Sequence, residues 1–313
     1  MNKTCAIIAG PCSVDNDNIN ELYEVSKITA RNREGKPQRA IFGARVVGLK
    51  SRTSLNENGE GMGIDYDSVM KNQEILMKGG SFRDFVTPPS VLIAQALVKD
   101  TGLLAASEIM MPIAQLPMYE TLIPKGKFMP WNPSVNQLGH PIAEIARYAR
   151  ENDWYLGIKN GKWLGEPVDR TEAENFDGST TMEQTWEGLV KYAGRAMRGK
   201  IILIHRGVDV SEKGDHRNIP VHRLSERVKR RTGGALYFDP SHAYGPKMKE
   251  RIVPEVLKAM KMLSPDGSYL YDGILIEVGT SKTDTGQHIS LDELREMVSD
   301  LAEFRDLVSP DYS

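Results

Sequence analysis

The sequence lacks several features that would place a protein in a class at once. It has no apolar run of the roughly 18 residues that a membrane helix needs, and its N-terminal segment resembles a first strand, not a signal peptide. Its 2 cysteines, Cys5 and Cys12, are too few and too close together to frame a disulfide-linked secreted fold. The 40 Lys and Arg residues nearly balance the 42 Asp and Glu residues, so the net charge favours neither nucleic acid nor an anionic membrane. These absences predict a cytoplasmic protein whose partners are small molecules.

What the sequence does contain is an alternation of short aliphatic runs with amphipathic stretches. Eight runs are typical of strands: residues 4–10, 40–47, 103–110, 126–131, 154–161, 200–207, 235–242 and 273–279. Segments with helical periodicity separate them, and the last run precedes a helix that begins with a capping-box pattern at Ser290 and Glu293. Strict alternation predicts a parallel sheet covered by helices, and eight units predict a closed α/β barrel of the (β/α)8 TIM type.

An open, doubly wound sheet is the alternative to the barrel, but no GxGxxG motif follows the first predicted strand. No repeat or linker divides the chain, so residues 1–313 are predicted to form one barrel domain. Two insertions, residues 53–81 and 161–180, follow the second and fifth predicted strands. Both lie in strand-to-helix loops, the face of a barrel on which catalytic residues are found.

Charged residues stand at the ends of several predicted strands. Because side chains alternate along a strand, Glu277 shares the inward face with Leu275, and Lys159 shares it with Gly157. Arg45 likewise lies opposite Ala44 and Val46. Burying an unpaired charge costs several kcal/mol, roughly, so repeated inward charges indicate a polar ligand better than they indicate isolated ion pairs.

Four possible metal ligands converge by topology. In a closed barrel the eighth strand pairs with the first, so Cys12, His242 and Glu277, which end or follow strands 1, 7 and 8, lie on one part of the rim. Asp284 follows in the loop beyond strand 8. A thiolate, an imidazole and two carboxylates suit a divalent transition metal. The alternative is that each serves structure alone, as a core cysteine, a loop histidine, an ion-pair partner and a turn acid.

The other charges on the rim are cationic: Arg45, Lys50, Arg52, Lys159 and Arg206. A rim of internal salt bridges is one interpretation. Few acids stand between these cations, and three of them are arginines, which bind oxyanions through two parallel hydrogen bonds. The pattern therefore favours a ligand that carries phosphate and carboxylate groups.

Taken together, six segments resemble a known family. They are "AGPCSV" (9–14), "KSRTS" (50–54), "GIKNG" (157–161), "RG" (206–207), "DPSHAYG" (239–245) and "GILIEVG" (273–279) with the later "TD". The set resembles the metal-dependent 3-deoxy-arabino-heptulosonate 7-phosphate (DAHP) synthases and the related 3-deoxy-manno-octulosonate 8-phosphate (KDO8P) synthases. The match runs in the family's order from residue 7 to about residue 300.

This resemblance implies an aldol-type condensation of phosphoenolpyruvate with a phosphorylated aldose, the first step of the shikimate pathway of aromatic amino acid biosynthesis. It also implies a homo-oligomer and a divalent metal ion (Mn, Zn, Fe or Co). The implied metal ligands are Cys12, His242, Glu277 and Asp284, and the implied substrate-binding residues are Arg45, Lys50, Arg52, Thr53, Lys159 and Arg206. Lys50 is the implied proton donor, and Cys12 and His242 act with it in catalysis.

Two details favour one branch of the family. Cys12 stands where the metal-independent octulosonate enzymes carry Asn, and Lys50 and Arg52 have the spacing of the heptulosonate enzymes. Erythrose 4-phosphate is therefore the expected acceptor, with arabinose 5-phosphate as the alternative. The chain departs from the family after strand 4, where Asn132 or Pro133 replaces the usual phosphate-binding Arg. The loss of one such cation predicts phosphate binding weaker by about 1–3 kcal/mol.

Three other functions fit parts of the pattern. An inward lysine at position 159 is compatible with a Schiff-base aldolase. A metal-dependent hydrolase is less compatible, because no HxH pair follows the first predicted strand. A non-catalytic barrel that binds phosphosugars is the third alternative.

Overall fold

Strands and helices alternate along the chain, as the sequence predicts. The computed structural model describes residues 3–31, 34–50, 60–167, 169–194, 197, 199–281 and 286–309. The strands are β1 (Thr4–Gly10), β2 (Thr29–Arg31), β3 (Pro37–Arg39), β4 (Gly43–Arg45), β5 (Leu104–Glu108), β6 (Phe128–Trp131), β7 (Leu156–Lys159), β8 (Ile201–His205), β9 (Ala235–Phe238), β10 (Gly273–Glu277) and β11 (Asp306–Leu307). The helices are α1 (Ile19–Ser26), α2 (Tyr66–Met77), α3 (Pro89–Thr101), α4 (Pro112–Leu122), α5 (Gly139–Glu151), α6 (Arg170–Asn175), α7 (Thr181–Ala193), α8 (His222–Thr232), α9 (Pro240–Tyr244), α10 (Ile252–Ala259) and α11 (Leu291–Ala302). Across these ranges, no helix has both the length and the apolar character that crossing a bilayer requires.

Eight parallel strands close into a barrel, which confirms the predicted (β/α)8 fold. The order is β1, β4, β5, β6, β7, β8, β9 and β10, and β10 pairs back onto β1 with Gly10 opposite Glu277. The first and last barrel strands are therefore neighbours, as the metal-site argument required. The β2–β3 hairpin and β11, which pairs with the start of β1, were not predicted.

Alternating side chains separate the barrel interior from the helix layer. Ile274 and Ile276 pack with the outer core, whereas Leu275 packs inside the barrel. The inner cluster consists of Ala6, Ile8, Phe42, Val47, Leu104, Ala106, Met129, Trp131, Ile202, Ile204, Tyr237 and Leu275. A Cβ atom at Gly157 would lie 2.7 Å from the Cβ of Trp131, so only glycine leaves room there for the largest side chain of the interior.

The strand predicted over residues 235–242 ends earlier, at Phe238. Asp239 follows it and caps α9, because its side chain accepts a hydrogen bond from the backbone N–H of His242 at 3.2 Å. Pro240 occupies the first turn of this helix, where its missing N–H costs nothing. His242 therefore projects from a short helix at the end of β9 and not from the strand itself.

The first predicted insertion contains a helix that the sequence analysis did not identify, α2. Asp65, just before α2, accepts a hydrogen bond from the backbone N–H of Ser90 at 2.9 Å and another from its hydroxyl. This pair fastens the described part of the insertion to the start of α3. Burial raises the pKa of Asp65 to about 6. The second insertion contains α6.

A neutral cluster of polar side chains lies beneath α8. His205 Nε2 accepts a hydrogen bond from the backbone N–H of Val221 at 3.2 Å, so the proton of the neutral ring is on Nδ1. That Nδ1–H then donates to the hydroxyl oxygen of Tyr271 at 2.7 Å, and the Tyr271 hydroxyl donates to Nδ1 of His222 at 2.7 Å. Burial lowers the pKa of His205 well below its usual value and that of His222 to about 4. The cluster is uncharged, and the shared hydroxyl is satisfied on both sides.

Candidate active site

A cavity of about 300 Å³ opens where the barrel strands end. Its lining residues come from the ends of β5 and β7 and from the loops that follow β4, β6, β7, β8 and β9. They are Lys50, Glu108, Ser134, Val135, Lys159, Lys162, Arg206, Asp209, Lys213, Arg217, Asn218 and His242. This lining holds 6 lysines and arginines against 2 carboxylates, so the cavity is suited to an anionic ligand.

Lys159, Asp239 and His242 form one connected group on the β7 and β9 side of the cavity. The Lys159 ammonium lies 3.1 Å from Oδ2 of Asp239, and Nδ1 of His242 lies 2.9 Å from the same oxygen. Burial acts to raise the pKa of Asp239, but the adjacent His242 and Lys159 outweigh it and hold the pKa well below the usual value. Burial lowers the pKa of His242 to about 4. A neutral His242 thus donates Nδ1–H to ionised Asp239 and leaves the lone pair of Nε2 free to bind a ligand.

Arg45 and Glu277 form a second buried pair, between β4 and β10. Nη2 of Arg45 lies 2.8 Å from Oε1 of Glu277, and both side chains are no more than 1% exposed. Gln287 donates to the other carboxylate oxygen at 2.6 Å, and Arg45 Nε donates to the carbonyl oxygen of Pro11 at 3.2 Å. The carboxylate is thereby fixed at the strand end.

Cys12 follows β1 and is fully buried. Its Sγ lies 2.9 Å from the ammonium group of Lys50, and its backbone N–H donates to Nε2 of His288 at 3.1 Å. His288 is next in sequence to Gln287, the residue that binds Glu277. One loop after β10 therefore contacts both the Cys12 backbone and the Glu277 carboxylate.

Two of the four predicted metal ligands, His242 and Glu277, lie close to each other. Nε2 of His242 lies 3.7 Å from Oε1 of Glu277, so the acceptor nitrogen of a neutral imidazole lies near a carboxylate oxygen. Two ligands of one tetrahedral zinc ion lie about 3.3 Å apart, so this pair fits a shared cation with a small adjustment. Within the described ranges, no group of three or more His, Cys, Asp and Glu side chains forms a metal-binding arrangement. Asp284, the fourth predicted ligand, lies outside the described residues.

The other predicted site residues fall into three sets. Lys50, Lys159, Arg206 and His242 line the cavity. Cys12, Arg45 and Glu277 are buried beside it, through the contacts given above. Arg52 and Thr53 lie outside the described residues.

Glu108 and Arg217 line the cavity but were not singled out from the sequence. Burial acts to raise the pKa of Glu108, but the charges of Lys50 and Lys159 outweigh it and lower that pKa below the usual value. The signal for Glu108 was present in the sequence, because it ends a strand in register with the inward-facing Leu104 and Ala106. Arg217 stands in a loop, where no periodicity indicates the direction of a side chain.

Asn132, which replaces the arginine expected after strand 4, has a structural role. Its Oδ1 accepts a hydrogen bond from the backbone N–H of Lys159 at 2.8 Å, and its Nδ2 donates to the carbonyl oxygen of Asn136 at 3.1 Å. The amide thus connects the end of β6 to β7. Lys159 itself is 2% exposed, and its ion pair with Asp239 would have to break before it could form a Schiff base.

Comparisons with known proteins identify the fold. No family profile and no curated protein matches the chain. Among solved structures, it is similar to phospho-2-dehydro-3-deoxyheptonate aldolase (DAHP synthase) from Thermotoga maritima, with a TM-score of 0.64 and 16% identity over 96% of this chain and 69% of that one. A truncated 3-deoxy-D-arabino-heptulosonate 7-phosphate synthase from the same organism gives a TM-score of 0.59 and 17% identity over 95% of this chain and 85% of that one. The chain therefore has the barrel fold of the DAHP synthases.

Proposed function

We propose that this protein condenses phosphoenolpyruvate with a phosphorylated aldose, with erythrose 4-phosphate as the acceptor, and releases inorganic phosphate. The observation that carries the proposal is the cation-rich cavity at the strand ends, with Lys50, Lys159, Arg206 and His242 around one space. Both substrates are phosphorylated, and phosphoenolpyruvate adds a carboxylate, so their charges complement this lining. The DAHP synthase fold supports the same reaction class.

The binding roles follow from the positions of the cations. Lys159 and Arg206 hold the phosphoenolpyruvate anion, because both are almost fully buried and their charged groups point toward the cavity. Arg45 is paired with Glu277 and shares Trp131 as a neighbour with Lys159. Arg52 and Thr53 hold the acceptor phosphate in this proposal, which rests on the sequence resemblance alone.

The reaction balances with groups that the cavity supplies. The enol carbon of phosphoenolpyruvate forms a bond to the aldehyde carbon, and Lys50 donates a proton to the resulting alkoxide. Water adds to the cationic carbon that remains, and the ionised carboxylate of Glu108 accepts the proton that the water loses. Cleavage of the carbon–oxygen bond to the phosphate, with transfer of the hemiketal hydroxyl proton to the departing phosphate, then releases inorganic phosphate and leaves the ketose.

We further propose that a divalent ion binds beside these groups. His242, Glu277 and Cys12 would hold it together with Asp284, and Asp239 would orient the His242 ring through the Nδ1 contact. When bound, the ion would polarise the aldehyde oxygen as a Lewis acid.

The test is a phosphate-release assay with phosphoenolpyruvate and a panel of aldose phosphates. Each assay is run on metal-depleted protein with and without added Mn, Zn, Fe or Co. We expect release with erythrose 4-phosphate that depends on both substrates and on metal. The new carbon–carbon bond is checked by mass spectrometry of the ketose product, since a phosphatase would also release phosphate.

Three other outcomes of this assay would change or contradict the proposal. Turnover with arabinose 5-phosphate in place of erythrose 4-phosphate would correct the acceptor. Full activity after metal depletion would remove the ion from the mechanism. Binding of both substrates without any product would identify a non-catalytic phosphosugar-binding barrel and contradict the proposal.

A further inference from the structure

Arg206 is a buried arginine with incomplete hydrogen bonding. It is 4% exposed, and its Nη1 donates to Oδ1 of Asn218 at 3.1 Å. Its Nε has no hydrogen-bond partner among the residues that the structure describes. Buried polar groups are rarely left unpaired, since the lost hydration is not replaced. A buried guanidinium that lines a cavity and keeps a free donor is suited to receive an anion from that cavity.

Arg217 lines the same cavity and is held there by α9. Its backbone N–H donates to the carbonyl oxygen of Tyr244 at 3.1 Å. Gly245, with a φ of +72°, lies so close that a Cβ atom there would be 2.5 Å from the Cβ of Arg217. The next residue, Asn218, donates to the carbonyl oxygen of His242 at 2.6 Å. The loop that carries Arg217 is thus fastened to the helix that carries His242, and a glycine is required where the two meet.

The two guanidinium groups are near enough to affect each other. Burial and then the charge of Arg217 lower the pKa of Arg206 to about 10, although Asp239, Glu108 and Asp209 act in the opposite direction. The charge of Arg217 therefore acts on Arg206, and the two guanidinium groups repel each other. An anion with two negative charges between them would offset this repulsion and supply an acceptor for the Nε–H of Arg206. The Arg217 guanidinium also donates to Oε1 of Gln287, which holds it at the edge of the cavity.

We propose that Arg217 binds substrate phosphate together with Arg206, and that this pair holds the phosphate group of phosphoenolpyruvate. The inference rests on the proposed function for the identity of the substrate, but not for the anion site itself. Asn132 has no charge and is bonded to β7, so no cation is supplied from the end of β6. Arg217 supplies a positive charge to the same cavity from the loop after β8.

The first test is binding of inorganic phosphate, measured by isothermal titration calorimetry, which needs no turnover. We expect Arg217→Met to weaken phosphate binding by about 10- to 100-fold. Lys213→Met is the matched control, because Lys213 lines the same cavity and its replacement removes the same charge. Lys213 differs from Arg217 in that it forms an ion pair with Asp209. We expect less than about a threefold loss for this control. Arg217→Lys keeps the charge without the fork and should fall between the wild type and Arg217→Met.

The second test separates the two substrates. In Arg217→Met we expect the KM for phosphoenolpyruvate to rise by about 10- to 100-fold, with a change in the KM for the aldose phosphate of less than threefold. Thermal unfolding of each variant confirms that it is folded, and Arg217→Lys supplies a second folded variant if Arg217→Met is not.

The results distinguish this inference from the proposed function. Equal phosphate affinities for Arg217→Met and Lys213→Met, or no phosphate binding by the wild type, would overturn the inference even if the enzyme turns over. A specific loss of phosphate affinity in Arg217→Met without turnover by the wild type would preserve the anion site and contradict the proposed reaction.

Discussion

Two buried polar regions of this barrel differ in charge and in how completely their groups are bonded. The cluster of His205, Tyr271 and His222 beneath α8 is neutral, and its shared hydroxyl donates one hydrogen bond and accepts another. The region around the cavity is charged, and Nη1 of Arg45 and Nε of Arg206 lack hydrogen-bond partners among the described residues. The hydrogen bonds of the first region are satisfied without a ligand, whereas the second region has buried N–H groups that could donate to a ligand.

Two adjacent residues of the chain belong to these two different regions. His205 is the last residue of β8 and points to the helix layer, and Arg206 follows it and lines the cavity. Because side chains alternate, two adjacent polar residues are assigned to opposite sides of one strand. A buried histidine therefore indicates function here only where it lies beside an open cavity and buried arginine N–H groups without partners among the described residues.

The largest expected effect compares two histidines. His242→Ala should reduce kcat by about 1,000-fold or more, because it removes a ring whose Nε2 faces Glu277 in the candidate site. His205→Ala should keep kcat within about threefold of the wild type but lower the free energy of unfolding by about 2–4 kcal/mol, since it leaves a cavity and deprives Val221 and Tyr271 of partners. Steady-state kinetics and urea unfolding of both variants make the comparison. Similar kinetic losses in the two would show that the regions are not functionally distinct.

The next effect concerns stability. Glu277→Gln removes the only charge within hydrogen-bonding distance of Arg45 among its described contacts, and leaving a buried cation unpaired should cost about 3–5 kcal/mol of unfolding free energy. Tyr271→Phe removes a neutral hydroxyl from the other region and should cost about 1–3 kcal/mol. Urea titrations at one pH measure both. A smaller loss for Glu277→Gln than for Tyr271→Phe would contradict the charge difference between the regions.

A third prediction uses pH. The pKa of His222 is lowered to about 4 from 6.5, so in acid the unfolded chain takes up a proton that the folded protein refuses. Stability should therefore be unaffected above pH 6.5 and fall as the pH decreases toward 4, by about 3 kcal/mol from this residue. His222→Asn retains an acceptor near the Nδ1 position without a titrating group. Unfolding free energies measured from pH 8 to pH 4 should fall less steeply in this variant, and an unchanged slope would exclude His222 as a source.

The smallest effect on stability is expected for an exposed ion pair, which is a reference for the buried pair of Arg45 and Glu277. Arg147 forms exposed ion pairs with Glu144 and Glu151 on α5. Arg147→Gln should change the unfolding free energy by less than about 1 kcal/mol, because solvent screens exposed pairs. Urea unfolding at low and high salt measures this change, and a cost near that of Glu277→Gln would show that burial does not control the strength of these pairs.

Alternation along strands predicted much of this fold. The closed barrel and the inward positions of Lys159 and Glu277 follow from residue periodicity, which depends only on local geometry. Alternation predicted the direction of a side chain incorrectly at the end of one strand. Phe42 was grouped with Ala44, but it precedes β4 and packs inside the barrel with the inner cluster.

Residues outside the strands could not be placed in this way. The capping contact between Asp239 and His242 ends β9 and begins α9, whereas an apolar run followed by a charge does not show where the strand stops. Arg217 depends on contacts with Tyr244 and Gly245, which are distant from it in sequence. Such positions are set by tertiary packing, and the periodicity of a single sequence does not contain that information.

Trp131 separates the apolar interior of the barrel from the charged cavity. Its ring centroid lies 5.5 Å from the guanidinium carbon of Arg45 and 5.7 Å from the ammonium nitrogen of Lys159, while its other neighbours belong to the inner apolar cluster. An indole can contact cations through its π electrons and hydrocarbon through its remaining surface. A guanidinium and an ammonium group therefore share one uncharged aromatic neighbour, in addition to their carboxylate partners Glu277 and Asp239. The indole thus contacts both cations from the apolar side of the cavity and leaves their positive charges in place for an anion.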